Sequence, residues 1–61
     1  MKIHEYCRHH RRVMKYTQGD LAKMVGVRQA TISDFETGKR SLGSDTLDRI
    51  LMVLNVDLDQ I

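Results

Sequence analysis

Residues 17–38 read TQGDLAKMVGVRQATISDFETG, and this stretch predicts two short helices joined by a tight turn. Thr17 is a favourable N-cap, and Asp20 three residues later takes the place of the Glu or Gln of a capping box. Apolar residues recur at helical spacing as far as Val25, after which Gly26 supplies a residue that turns readily through positive φ. We therefore expect the first helix of the pair to span about residues 17–25.

The second helix of the pair is predicted over about residues 28–37 and stops at Gly38. Ile32 and Phe35 lie on one stripe and are expected to bury this helix against the first and fourth helices of the chain. The opposite side offers polar and small residues, namely Arg28, Gln29, Ala30, Ser33 and Asp34. Helix, glycine-containing turn and helix form the arrangement that places its second helix in a DNA major groove.

The side chains on that side suit the edges of base pairs. Gln29 can pair bidentately with adenine, Arg28 can reach a guanine or a phosphate, and Ala30 can meet a thymine methyl group. Ser33 can donate or accept a hydrogen bond. Asp34 needs a cytosine amine or a neighbouring arginine, because phosphates repel its carboxylate. We expect these five residues to make the base contacts.

The pattern T-Q-x-x-L-A-x-x-x-G-V-x-x-x-x-I-S-x-x-E-x-G, from Thr17 to Gly38, resembles the lambda-repressor/Cro (XRE) family of helix-turn-helix proteins. Within that family, GVRQATISDFE is most similar to the HipB-type antitoxin repressors. The resemblance implies an all-α, lambda-repressor-like domain of four to five short helices over residues 1–61, with its helix-turn-helix at about 17–37. It also implies a dimeric repressor that binds double-stranded DNA at a near-palindromic operator.

The resemblance assigns further roles outside the base-contacting side. In the family, an Arg seven residues before the Gln of helix two pairs with the Glu near the end of helix three; here these are Arg11 and Glu36. Gln18 would contact the DNA backbone from a helix N-terminus, where free N–H groups favour anions. The expected phosphate contacts are Thr17, Gln18, Thr31, Thr37, Lys39, Arg40, Ser41 and Arg11. For residues 37–41, a solvated turn is the alternative.

A first helix is predicted over residues 2–15. Its apolar stripe consists of Ile3, Cys7, His10 and Met14. The basic side chains from Arg8 to Lys15 form either a DNA-binding patch or a solvated helix surface. His4, Cys7 and His10 invite a metal hypothesis, but structural zinc takes four ligands and the sequence offers no second ligand pair. We therefore expect Cys7 to be a small buried hydrophobe, and we expect no metal and no cofactor.

A fourth helix is predicted over about residues 45–54, with Ser44 or Asp45 as its cap. Its expected core stripe is Leu47, Ile50, Leu51 and Leu54. The tail over residues 55–61 either begins a fifth helix or runs extended. In either form its apolar residues meet a second copy or close the core. The expected dimer interface is Val53, Val56, Leu58 and Ile61.

The 61 residues are enough for one domain, and their net charge is +2. Residues 1–43 carry nine Lys or Arg against four Asp or Glu, whereas residues 44–61 carry one Arg against four Asp. This asymmetry favours a polyanion-facing surface and a separate end. With one cysteine, no long apolar run and no signal peptide, we expect a cytoplasmic, nucleoid-associated protein of a bacterium or phage, without a membrane partner.

Two function classes follow from these observations. The first is a sequence-specific transcriptional repressor, with an antitoxin's protein partner as a further expectation. The second is a small interaction or coactivator module on the same scaffold, which would bind DNA weakly and without sequence preference. An enzyme is not expected, because no nucleophile–base pair, carboxylate dyad or metal set stands out in the sequence. Competition between a selected operator and random DNA separates the first two classes.

Overall fold

The computed structural model of this protein describes residues 2–55, which form four helices and no strand. The helices are α1 (Ile3–Val13), α2 (Gln18–Val25), α3 (Gln29–Glu36) and α4 (Ser44–Val53). The predicted all-α class is therefore confirmed. Within this part of the chain no helix is both long and apolar enough to cross a membrane. The tail that was expected to be a fifth helix or a strand, at residues 56–61, lies outside the described residues.

A single apolar core lies between the helices, and α2 is central to it. α2 packs against α3 and α4, while α1 packs on α3. α3 was expected against α1 and α4, but its main neighbours are α2 and α1. The buried apolar residues are Cys7, Leu21, Ala22, Val25, Ile32, Phe35, Ile50, Leu51 and Leu54. Full burial of each large aliphatic side chain stabilises the fold by about 1.5–3 kcal/mol, so this small core depends on every one of them.

The turn between α2 and α3 follows from two local signals. Gly26 has φ of 78° and ψ of 32°, and its N–H bonds the carbonyl of Ala22 at 2.9 Å. The N–H of Val27 bonds the same carbonyl at 3.0 Å. α3 then begins after Arg28, whose backbone is extended. The predicted glycine turn is confirmed, and it sets α3 across α2.

The buried side of α1 differs from the predicted stripe. Cys7 and Arg11 are buried, whereas Met14 is 40% exposed. α1 ends at Val13, and the backbone of Lys15 turns through a φ of 63°, so Met14 no longer follows the helical stripe. One turn after Cys7, the buried position of α1 is occupied by Arg11. The expectation that Met14 lies on the buried stripe was wrong.

α4 begins without a side-chain cap. Its N-cap is Gly43, and Ser44 is already the first helical residue. The expected capping by Ser44 or Asp45 was therefore wrong, because the chain enters the helix one residue earlier than its polar side chains suggested. The predicted core stripe of α4 is confirmed, with Ile50, Leu51 and Leu54 buried and Leu47 packed at the edge.

Candidate nucleic-acid interface

The N-terminus of α2 is fixed by a reciprocal capping box, as predicted. The N–H of Asp20 donates to the hydroxyl of Thr17 at 2.9 Å, and the N–H of Thr17 donates to the Asp20 carboxylate at 3.0 Å. The Thr17 backbone bond, followed by the bond to its side chain, lowers the pKa of the Asp20 carboxyl. These reciprocal bonds satisfy two backbone N–H groups that the start of the helix would otherwise leave without a partner.

Arg11 and Glu36 form an ion pair between α1 and the end of α3. The Arg11 guanidinium donates from Nε to Oε2 of Glu36 at 2.7 Å and from Nη2 to Oε1 at 3.0 Å. Glu36 is 1% exposed and Arg11 is 8% exposed. A bidentate pair of this kind is both short and directional, so it fixes the distance between α1 and the end of α3. Only a small part of the guanidinium faces the solvent from which a phosphate would approach.

Two further hydrogen bonds extend the pair to the rest of the helix-turn-helix. Nη1 of Arg11 donates to the carbonyl of Tyr16 at 2.8 Å, and the side-chain amide of Gln18 donates to Oε1 of Glu36 at 3.1 Å. The Glu36 carboxylate therefore links α1 and α2 to α3, and Arg11 in turn links the segment before α2 to α1. In the described residues, no buried side-chain nitrogen or oxygen lacks a hydrogen-bond partner.

The first turn of α3 carries the most accessible of the expected base-contacting residues. Arg28, Gln29 and Ala30 are exposed, whereas Ser33 and Asp34 are half-buried farther along the helix. The backbone carbonyls of Ser33 and Asp34 also accept hydrogen bonds from the Thr37 hydroxyl, at 3.0 and 3.2 Å. Of the predicted base-contacting residues, the three nearest the turn are therefore the most exposed.

The segment after α3 brings several of the expected phosphate contacts together. A shallow groove separates the start of α3 from the start of α4. Its lining includes Arg28, Thr31, Arg40, Ser41 and Thr46. Two guanidinium groups, three hydroxyl groups and the uncapped start of α4 thus share one surface. Lys39 and Thr37 are exposed on the preceding turn, where Gly38 has a φ of 80°.

The histidine and cysteine residues of α1 have packing contacts instead of a shared site. Cys7 is fully buried, and its burial, followed by the charge of Glu36, raises the pKa of the thiol to about 11. The His4 ring lies edge-on to Phe35, with centroids 6.4 Å apart, and the His10 ring lies 4.4 Å from that of Tyr6. Among residues 2–55, no three His, Cys, Asp or Glu side chains are grouped to hold a metal ion.

Two contacts at this surface could not be predicted from the sequence. The Gln29 side chain lies over Gly19 in the first turn of α2, and Arg28 shares a groove with Arg40. Neither contact has a local signal, because both depend on the angle at which α3 crosses its neighbours. The glycine at position 19, within a short helix, is the one hint that the sequence offers, since glycine is a poor helix former.

A capped α2, a glycine turn and an α3 whose first turn is exposed are the parts of a helix-turn-helix protein. A family model described as "Helix-turn-helix" matches residues 11–61. The chain belongs to this XRE-type helix-turn-helix family of DNA-binding proteins.

Among curated proteins, the chain is similar to Antitoxin HipB of Escherichia coli O6:H1 strain CFT073. The two are 40% identical over 43 residues, which are 70% of this chain and 46% of that protein. The chain thus spans about half the length of this relative. No solved structure matches the chain.

Proposed function

We propose that this protein is a dimeric transcriptional repressor that reads a near-palindromic operator through the first turn of α3. The observation that carries the proposal is the joint exposure of Arg28, Gln29 and Ala30 at the start of a helix whose other side packs on the core. Side chains on a rigid helix read base edges with less loss of conformational freedom than those of a mobile loop. Ser33 and Asp34, half-buried on the next turn, complete the proposed base-contacting set.

The affinity of this complex is proposed to come from contacts with phosphates on both sides of α3. One set lies at the start of α2, with Thr17, Gln18 and the edge of Arg11. The other lies around the groove between α3 and α4, with Thr31, Thr37, Lys39, Arg40 and Ser41. Contacts of this kind hold the protein on any DNA sequence and make binding strongly dependent on salt.

The proposed dimer uses the end of the chain. Met52 is 79% exposed on α4, and Val53 beside it is only partly covered. A contiguous exposed apolar patch marks an interface, and Met52 and Val53 would form the described part of one. The other proposed interface residues, Val56, Leu58 and Ile61, lie outside the described part of the chain. Two copies would place their α3 helices about one turn of DNA apart.

The likeness to Antitoxin HipB supports a further step in the same proposal. We propose that the protein acts as a cytoplasmic antitoxin, whose partner is a toxin protein encoded next to it. Co-expression of the neighbouring gene product with a tagged copy of this chain tests the step. A stable complex supports it, and a neighbour that neither binds the chain nor inhibits growth contradicts it.

Selection of an operator from random duplexes tests the proposed function. We expect one enriched, near-palindromic word, bound at least about 10³-fold more tightly than random DNA at roughly 150 mM salt. Sedimentation at tens of micromolar protein should show a dimer. Weak binding without any enriched word would contradict the repressor and favour a protein-interaction module on the same scaffold.

A further inference from the structure

Gly19 forms a notch in the first turn of α2, and the side chain of Gln29 lies over it. A β-carbon built at Gly19 would be 3.5 Å from Oε1 of Gln29 and 3.9 Å from its Cδ. The hydroxyl of Thr17 would lie 3.7 Å away on the other side. At this glycine the first turn of α2 therefore faces the side chain of Gln29 at the start of α3.

The backbone of α2 does not itself require glycine at this position. Gly26 and Gly38 have positive φ, whereas Gly19 is an ordinary helical residue. Glycine lowers the stability of a helix relative to alanine, and α2 has only eight residues. What glycine provides here is space, in a shallow groove between α2 and the start of α3 that Gln29 helps to line.

We propose that Gly19 is a positioning residue for base recognition, because its notch holds the side-chain amide of Gln29 in place before DNA is bound. Glutamine is among the side chains that lose most rotamer freedom when they are fixed. A residue that is already held loses less of that freedom on binding, which raises affinity and sharpens the choice of base. This inference rests on the proposed function, since it assigns Gln29 to a base pair.

The size of the side chain at position 19 should therefore determine whether the Gln29 amide keeps its position. In Gly19→Ala the new methyl group would meet Gln29 at an ordinary van der Waals distance, so the amide stays where it is. In Gly19→Val two γ-carbons are added toward the same space, and the amide is displaced. Met24→Val is the matched control, because it introduces the same β-branched residue at an exposed position of α2.

The test compares binding to the selected operator with binding to the same operator changed at the base pair that Gln29 reads. The wild-type preference for the unchanged base pair should be about tenfold or more. Met24→Val should keep that preference within about twofold, whereas Gly19→Val should lower it to the value of Gln29→Ala. The double variant Gly19→Val with Gln29→Ala should have the same base preference as Gln29→Ala alone, because the two changes remove the same interaction.

A second readout does not depend on DNA. In the free protein, the side-chain amide resonances of Gln29 should shift in Gly19→Val and stay in place in Met24→Val. Unchanged resonances, an unchanged base preference in Gly19→Val, or additive losses in the double variant would each overturn the inference. If the wild-type protein prefers no base at all, the proposed function fails instead, and the resonances alone decide whether the notch holds the amide.

Discussion

Arg11 and Glu36, 25 residues apart in the sequence, form a buried bidentate ion pair that joins the end of α1 to the end of α3. The pair lies under the helix-turn-helix, and Gln18 and the carbonyl of Tyr16 complete its hydrogen bonds. Removal of one partner leaves a buried charge without compensation. The resulting loss of folding free energy exceeds the net stabilisation that the intact pair provides. The charged side chains at the base of α3 therefore have a structural role that surface ion pairs lack.

Glu36→Ala should destabilise the domain by about 3–5 kcal/mol, because it leaves the Arg11 guanidinium buried and uncompensated. Arg11→Lys keeps the charge but loses the two-pronged geometry, and should cost about 1–3 kcal/mol. Urea unfolding followed by circular dichroism measures both. Arg12→Lys is the matched control, since Arg12 is the exposed neighbour. Equal stability of Arg11→Lys and Arg12→Lys would contradict a structural role for the pair.

The capping box of α2 predicts a specific dependence on pH. The folded-state pKa of Asp20 lies below its ordinary value of 3.8, because Thr17 bonds the ionised carboxylate. The stabilisation is fully present above the ordinary value and is lost as the pH falls through the lowered pKa. The stability difference between the wild type and Asp20→Asn should therefore be constant near neutral pH and shrink below about pH 4.

Thr17→Ala removes the other half of the box and should cost about 1 kcal/mol at neutral pH. Thermal unfolding at a series of pH values checks both variants. A stability difference for Asp20→Asn that grows as the pH falls would contradict the lowered pKa of Asp20, because it would mean that the fold favours the protonated carboxyl.

Cys7 should be almost inert in the folded protein. With a pKa near 11 in place of 9.0, the thiol provides roughly 100-fold less thiolate at pH 8, and it is also fully buried. Alkylation by iodoacetamide, followed by mass spectrometry, should be at least about 100-fold slower in buffer than in a denaturing concentration of guanidinium. Similar rates in the two conditions would mean that α1 opens readily from the core.

Gln29→Ala and Lys39→Ala should weaken DNA binding in different ways. Loss of Gln29 should cost about 1–3 kcal/mol on the selected operator and relax the choice at one base pair. Loss of Lys39 should weaken binding to all sequences alike and lower the slope of log affinity against log salt by about one. Titrations of the operator and of random DNA at several salt concentrations separate the two. Equal losses on both DNAs from both variants would contradict the division of roles.

The parts of this fold that could be predicted are those that depend on nearby residues. Thr17, Gly26 and Gly38 mark helix ends through interactions within four residues of themselves. Ile32 and Phe35 are recognisable as buried from their spacing alone. The start of α4 was predicted wrongly because two local signals compete there: Ser44 is a favourable cap residue, but Gly43 is the N-cap and Ser44 is the first helical residue.

The parts that could not be predicted depend on how helices cross. The position of Gln29 over Gly19 follows from the packing of α3 on α2, which no periodicity records. Gln18 was expected to face the DNA backbone, and the structure also gives its amide a bond to Glu36. Residues within one helix are related by a known geometry, whereas residues on different helices are related only after the core has formed.

The carboxylate of Glu36 lies where three helices meet, which has a consequence for how the domain opens. α1, α2 and α3 each contribute a side chain to the same set of hydrogen bonds. Detachment of α1 or of α2 breaks that helix's own bonds to Glu36, and detachment of α3 breaks all of them, so we expect the three helices to open as one cooperative unit. Backbone amides in the interior of these helices should exchange with deuterium together, at the rate of global unfolding, and α3 should not melt separately from α1 and α2.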